Sequence, residues 1–333
     1  MTHPSIQPWI ARKASASASA GAAAPAALAV GTMNFGKRTP EAESVRIIER
    51  AVERGLVFFD TANAYNDGAS ERILGRALKA RREQVFIATK VGFGRVAGKL
   101  EGLSQKTVLR AAGESLSRLQ TDYIDLYYLH VPDYVTPIEE TLDAVEELLK
   151  AGKIRHFAVS NYASWQVLQI MMSCDRRGIP RPAVSQVLYN LLIRQLDVEY
   201  FKFTREFTIH TSVYNALAGG LLSGRLDRSA PAPKGSRFDG NRFYRERYWS
   251  DRFFDLVDEH RAVASEEGLS LVELSYAWLA GREGVDSILV GPATVEQLDA
   301  AIDASAKSVS PEARARINAI HRAFIGTDTS YAR

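Results

Sequence analysis

The sequence predicts an α/β chain closed into a (β/α)8 barrel, the TIM-barrel class, with extra C-terminal helices and loops over the face where the strands end. Three observations predict it. Eight short apolar runs alternate with amphipathic stretches from residue 27 onward, the pattern of parallel strands joined by helices. The runs are continuous rather than alternating, as in strands covered on both faces. The length, 333 residues, suits one such barrel, which needs ~250 residues before insertions. An open doubly wound sheet shares this periodicity, and the count of eight favours closure.

Residues 1–26 precede the pattern. Their tract KASASASAGAAAPAA carries Arg12 and Lys13 but no acid. Ala and Ser supply too little apolar area to offset ordering entropy, so a disordered extension is expected, with a targeting peptide as the competing reading. Residues 27–333 are expected to form a single domain. ALAVG (27–31) reads as the first strand. Thr39-Pro40-Glu41 starts a helix, with Pro in the first turn and an acid near the positive end of the dipole. Val45, Ile48, Ala51 and Val52 give it one apolar face, and Gly55 ends it. LVFFD (56–60) is strand two, Ser70 to Ala80 a short helix, and QVFIATK (84–90) strand three. Val108, Ala112, Leu116 and Leu119 mark the next helix, before strand four, YIDLYYLH (123–130). Thr136-Pro137-Ile138-Glu139 reads as a capping box opening a helix that carries Leu142, Val145, Leu148 and Leu149. IRHFAVS (154–160), AVSQV (183–187) and TIHTSVY (208–214) are strands five to seven. A connection rich in Gly, Arg and aromatics runs from 219 to about 250. Ser270-Leu271-Val272-Glu273 caps a helix reaching Ala280, SILVG (287–291) is strand eight, and helices near 295–304 and 311–324 finish the chain.

Composition narrows the function classes. The net charge is +3 with acids and bases interspersed, so no nucleic-acid face is expected. No run approaches the ~18 to 20 apolar residues of a membrane span. The single cysteine, Cys174, cannot form an intramolecular disulfide and reads as a packed helix residue, which fits a reducing, cytoplasmic setting.

The polar residues at strand ends carry the chemistry. Asp60, Lys90 and His130 end strands two, three and four, and Ser160-Asn161 end strand five. In a barrel these ends converge on one face, over which Tyr65 can fold back. Each has an ordinary structural alternative: Asp60 a turn cap, Lys90 a solvated strand end, His130 a satisfied loop histidine, Tyr65 core or rim. Together they make sense as one unit. A phenol near its ordinary pKa of ~10 gives up a proton reluctantly at neutral pH, and an adjacent ammonium lowers that value. Lys90 supplies the ammonium, Asp60 holds it, and His130 orients a carbonyl oxygen. Reduction of a carbonyl also needs a hydride, which no side chain provides, so a nicotinamide cofactor is implied. GFGRVA (92–97) matches G-x-G-x-x-A after a strand, but Gly98-Lys99-Leu100-Glu101-Gly102 follows instead of a helix, so it is no dinucleotide fingerprint. The stretch from Tyr214 to Arg225 is the stronger nucleotide candidate. It follows strand seven, its glycines let amides approach an anion, Arg225 adds charge, and Tyr214 offers a ring face.

GTMNFG (31–36), DTANAY (60–65), ATK (88–90), YLH (128–130), SNYASW (160–165) and YNALAGGLLSG (214–224) resemble the aldo-keto reductase superfamily over about residues 28–333. HVPDYVTPIEETL (130–142), the segment from Gly235 to Trp249 and the ending Tyr331-Ala332-Arg333 are similar to its aflatoxin aldehyde reductase branch, which includes succinic semialdehyde reductases. The resemblance implies reduction of an aldehyde or ketone with NADPH. Tyr65 would be the general acid, tuned by Asp60 and Lys90, and His130 would orient the carbonyl. Ser160, Asn161 and Gln186 would hold the nicotinamide carboxamide, and Tyr214 would stack on its ring. Gly31, Thr32, Met33, Asp60, Asn215, Leu217, Gly219, Leu222, Gly224, Arg225, Arg237, Gly291 and Gln297 would complete the cofactor site. Tyr244, Arg247 and Arg333 would line the substrate pocket with His130, and the arginines suit a carboxylate-bearing aldehyde. A homodimer is compatible with this branch. Three departures stand out. The Ala/Ser tract replaces an N-terminal hairpin, Ala216 replaces a common Pro, and Ala293, Ala300 and Ala301 replace polar residues at the adenosine-phosphate site. The last weakens discrimination against NADH, while Arg225 and Arg237 still favour NADPH. Two rival readings are a nucleotide-sensing subunit of the same fold serving a membrane partner, and a Lys90 Schiff-base aldolase.

Overall fold

The computed structural model describes residues 26–326. The apolar runs become eight strands: β1 (Ala27–Gly31), β2 (Phe58–Asp60), β3 (Phe86–Val91), β4 (Ile124–Leu129), β5 (Ile154–Ser160), β6 (Val184–Leu188), β7 (His210–Tyr214) and β8 (Ser287–Val290). Each pairs in parallel with its sequence neighbour, and β1 closes on β8 through Ala27 opposite Ser287, making a closed barrel. Helices surround it: α1 (Glu41–Glu53), α2 (Ala69–Leu78), α3 (Gln105–Leu119), α4 (Ile138–Lys150), α5 (Ser164–Arg177), α6 (Tyr200–Glu206), α7 (Arg242–Tyr248), α8 (Asp251–Glu266), α9 (Leu271–Ala280), α10 (Val295–Ser305) and α11 (Pro311–Ile325).

Strand alternation sorts the core into two clusters. Ala29, Phe58, Phe86, Ala88, Leu126, Tyr128, Ala158 and Val184 pack together inside the barrel. Their strand neighbours Val30, Phe59, Ile87, Tyr127, Phe157 and Val159 pack outward with the helices. Side chains two residues apart share a face. Asp60, Lys90, Ser160 and Gln186 therefore continue the inward rows of Phe58, Ala88, Ala158 and Val184, one layer nearer the strand C-termini. The interior is apolar below and polar above, which places the site.

Several local expectations are corrected. Most strands are shorter or shifted by one or two residues, and His130 is the first residue beyond β4. Thr136 caps nothing: Pro137 is the N-cap of α4 without a side-chain hydrogen bond. Asp133 Oδ1 instead accepts from the Val135 and Thr136 amides, so the turn is organised before the helix begins. The Ser270–Glu273 capping box does form. The connection after β7 holds α7, and α8 follows it before α9; neither was read from the sequence. Cys174 is fully buried, and burial pushes its thiol up to about 12, which fits packing rather than reactivity. Of the residues expected to be disordered, 1–25 lie outside the described residues; Ala26 is buried and donates to Ala280 O at 3.1 Å. No helix among the described residues is long and apolar enough to cross a membrane.

His260 on α8 gives the fold an acid liability. It is 1% exposed and its Nδ1 lies 2.6 Å from Leu256 O. Burial holds its pKa down at about 4, against 6.5 in the unfolded chain. As pH falls below 6.5 the unfolded state takes up a proton that the folded state refuses until about pH 4, so stability is lost across that window. Two to three pH-unit shifts correspond to about 3 kcal/mol. The thermal midpoint of wild type should drop between pH 6.5 and pH 4, and His260→Gln should flatten that limb; equal slopes would contradict the assignment.

Candidate active site

Lys90 stands inside the barrel mouth with no exposed surface. Its Nζ donates to Asp60 Oδ1 and, at 2.8 Å, to Thr61 O. Asp60 Oδ2 accepts from Gln186 Nε2 at 2.9 Å. Burial pushes Asp60 up and Lys90 down, while the charge of each partner pulls the other back. With a further polar partner on each side, the pair is held as an ion pair. Next to Asp60 in sequence, Thr61 Oγ1 lies 2.9 Å from Ser70 Oγ, which is 2.7 Å from Thr32 Oγ1, tying the ends of β1 and β2 to α2.

Tyr65 rises from the turn after β2, its ring centroid 5.2 Å from Lys90 Nζ. His130 faces it edge-on, with ring centroids 5.9 Å apart. Burial, then the Lys90 charge, holds His130 well below the ordinary imidazole range, so it is neutral at pH 7. Its Nδ1 is buried and has no partner among the described residues. The expectation that Lys90 makes Tyr65 acidic is not met. Burial, then Asp60, raises the phenol above its ordinary value. Desolvation of a phenolate and the nearby carboxylate both disfavour the charged form. Tyr65 is consequently a fully protonated donor at neutral pH.

The other sequence candidates fall around this centre. Asn161, in left-handed backbone at φ 64°, donates to His130 O and Ser160 Oγ, both at 3.0 Å, and accepts from Tyr214 OH at 2.7 Å. The structure thus brings Ser160, Asn161, Gln186 and Tyr214 together across β5, β6 and β7. Asn215 Oδ1 accepts from the Gly219 amide at 2.7 Å, and its Nδ2 donates to Tyr248 OH at 2.7 Å. Gly219 sits at φ 71°, and a Cβ there would lie 2.7 Å from the Tyr244 ring, so only glycine fits. The glycine turn is less open than expected. The amides of Gly219, Gly220, Leu222 and Gly224 donate within it, and Leu222 is buried. Arg225 is exposed.

Arg237 bridges two halves of the rim. It donates to Tyr244 OH at 2.9 Å and Asn34 Oδ1 at 3.3 Å, and approaches Met33 Sδ at 3.7 Å. Asn34 in turn donates to Gly291 O at 3.3 Å. Arg38, missed in the sequence reading, binds Gly235 O at 2.6 Å. Burial, then the nearby Arg237 charge, lowers its pKa. The two guanidinium groups feel each other's charge, and neither pairs with a carboxylate among the described residues, an arrangement suited to a phosphate. Gln297 Oε1 accepts from the Ala293 amide at 2.9 Å, and Thr294 Oγ1 accepts from the Gln297 amide at 3.3 Å; its carbonyl is engaged in ordering the start of α10. Arg247 is half-buried over Phe243, 4.2 Å from the ring centroid, and its charge acts on the Tyr214 phenol. Arg333 lies outside the described residues. Phe93 was also missed: its ring centroid is 5.2 Å from that of His130. Among the described residues no group of three His, Cys, Asp or Glu side chains could hold a metal.

The closed barrel thus carries Asp60, Tyr65, Lys90 and His130 together at its mouth. The sequence model of the Aldo/keto reductase family matches residues 27–322, and the chain belongs to that family. It is 37% identical over 294 residues to human (Homo sapiens) aflatoxin B1 aldehyde reductase member 2, covering 82% of this chain and 80% of the relative. It is 34% identical over 289 residues to human aldo-keto reductase family 7 member A3, covering 82% and 86%. A probable voltage-gated potassium channel subunit beta of Arabidopsis thaliana is 30% identical over 272 residues, covering 80% and 83%.

Proposed function

We propose that the protein reduces aldehydes or ketones with NADPH, Tyr65 donating the proton. The observation that carries this reading is the pairing of a protonated phenol with a neutral imidazole across 5.9 Å at the end of the apolar barrel. A carbonyl oxygen between them can accept from the Tyr65 hydroxyl and from an imidazole N–H. As negative charge develops on that oxygen, the Tyr65 proton moves onto it; an alkoxide is basic enough to take a proton even from a phenol raised by burial. The Lys90 ammonium, 5.2 Å from the ring, then stabilises the phenolate. Asp60 and Gln186 keep the ammonium fixed and charged. A bound dihydronicotinamide would supply the hydride.

The residues present suit that cofactor. Ser160, Asn161 and Gln186 gather amide and hydroxyl groups beside Tyr214, the proposed stacking ring. Arg237 and Arg38, unpaired by any carboxylate among the described residues, suit the phosphates, with exposed Arg225 at the far end of the glycine turn. Gly31, Thr32, Met33, Leu217, Gly291 and Gln297 are proposed to complete its seat. Ala293, Ala300 and Ala301 leave fewer polar contacts at the adenosine end, so the preference over NADH is expected to be modest. The name of the human relative aflatoxin B1 aldehyde reductase member 2 supports an aldehyde as substrate.

Loss of dihydronicotinamide absorbance with a panel of aldehydes tests the reading, NADPH against NADH. Arg247, and with it Arg333, is proposed to bind a substrate carboxylate. Arg247→Met should therefore raise KM for succinic semialdehyde about tenfold more than for a neutral aldehyde of similar length. Equal effects would remove the carboxylate role. A second reading, a nucleotide-sensing subunit serving a membrane partner, draws on the Arabidopsis relative only in that its name is that of a channel subunit; robust turnover by the purified protein alone would argue against it. Lys90 is fully buried with two acceptors on its ammonium, which disfavours a Schiff-base aldolase, and absence of borohydride trapping should agree.

A further inference from the structure

The Gly-rich stretch after β3 forms neither a helix nor a nucleotide turn. It leaves the barrel just past Lys90 as a two-stranded ribbon, Arg95–Val96 against Lys99–Leu100, whose residues are all exposed. At its base Phe93 is 48% exposed, yet its ring lies against His130. What fixes the base is one buried carboxylate. Glu101, with its side chain 4% exposed, closes the ribbon by donating its amide to Gly94 O at 2.8 Å. Its Oε1 accepts three hydrogen bonds, from the amides of Gly92 (2.9 Å) and Gly94 (3.1 Å) and from Asn63 Nδ2 (2.8 Å).

Asn63 belongs to the other side of the site. It lies two residues before Tyr65, in the same turn, and its amide donates to Lys90 O at 3.1 Å. Asn63 Oδ1 is buried without a partner among the described residues, so the amide orientation is dictated by the carboxylate. Gly94 is the matching concession: a Cβ there would lie 2.7 Å from Glu101 Oε1. A short exposed ribbon does not need a buried charge for its own stability, because taking a carboxylate out of water is costly. Arg110 on α3 offsets part of that cost by pairing with Oε2 at 3.4 Å, while Oε1 ties the Tyr65 turn to the base of the ribbon.

We propose that Glu101 is a positioning residue for carbonyl reduction. One oxygen of its carboxylate holds the Tyr65 turn in register with the Phe93 ribbon, and Phe93 forms an aromatic wall of the substrate pocket beside His130. The wall favours flat, apolar aldehydes over short aliphatic ones. The proposal rests on the reductase reading above.

The full chain is tested in three variants. Glu101→Leu removes the acceptor. Glu101→Gln keeps an oxygen for all three donors and loses only the charge. Gly94→Ala displaces the latch from the opposite side, and it decides the matter should the leucine variant not fold. Turnover of an aromatic and a short aliphatic aldehyde is measured, with NADPH affinity by fluorescence. Tryptic cleavage after Arg95 and Lys99 reports ribbon mobility independently of turnover. Glu101→Leu and Gly94→Ala should lower kcat about tenfold for both substrates, and raise KM more for the aromatic one. Their NADPH affinity should stay within about twofold and their ribbon should be cut about tenfold faster. Glu101→Gln should stay within about threefold of wild type throughout. A glutamine variant as damaged as the leucine one, wild-type kcat in Glu101→Leu, or unchanged tryptic rates in it would each overturn the proposal. No turnover by wild type would instead remove the reductase reading, and with it the catalytic part of the proposal, while the tryptic rates would still say whether the latch exists.

Discussion

Tyr65→Phe is expected to lower kcat for carbonyl reduction by roughly 10²–10⁴-fold, the usual contribution of a positioned proton donor. The variant loses one hydroxyl and little packing, because the ring keeps its edge contact with His130 and its place over Lys90. The residues proposed to hold the cofactor lie on β1, β5, β6, β7 and the loops beyond, so NADPH affinity should change less than about twofold. The pH profile of wild type sharpens the test. Burial raises the Tyr65 phenol above its ordinary value, and the donor form is the one below the pKa. Reduction should therefore show no Tyr65 limb between about pH 6 and pH 9, with loss only at higher pH. His130, held neutral by burial, adds no limb there either. Comparable turnover in Tyr65→Phe, or an alkaline loss centred near neutrality that vanishes in it, would assign the proton to another group.

The strand ends were legible because period and polarity coincide there. Asp60, Lys90 and Ser160 each sit at an even spacing from an inward apolar residue of the same strand, so the alternation that builds the inner core also aims them into the mouth. Other features depend on pairs far apart in the chain. Gln186 reaches Asp60 across 126 residues, and nothing local to either marks the contact. Arg38 is unremarkable by itself, and its meaning comes from the Arg237 charge nearby, with no carboxylate partner for either among the described residues. The sign of the Tyr65 shift was misread for a related reason. A sequence shows that an ammonium is nearby but not how deeply the phenol is buried, or that a carboxylate stands close enough to raise it further. Helix α7 escaped notice because seven residues dominated by Arg, Tyr and Phe carry no apolar stripe; its order comes from the Asn241 cap and from packing over the glycine turn.

The Asp60–Lys90 pair separates stability from catalysis. Lys90→Met leaves a buried carboxylate with Gln186 as its remaining side-chain partner, and should cost about 3–5 kcal/mol of stability, reduced to the extent that Asp60 takes up a proton. Asp60→Asn leaves an ammonium on Thr61 O, with a similar penalty. Both single variants should also lose most turnover, since neither holds a charged, fixed ammonium under Tyr65. The double variant Asp60→Asn/Lys90→Met buries no ion. It should recover most of the lost stability in urea denaturation, because replacing a whole buried pair is far cheaper than breaking it. Turnover should not recover with it. If the double variant reduced aldehydes like wild type, the pair would be a structural feature only, and the phenol would act without the ammonium. If it were no more stable than the worse single variant, the two charges would not be compensating each other in the folded protein, and the account of Tyr65 as an acid supported by a paired lysine would lose its physical basis.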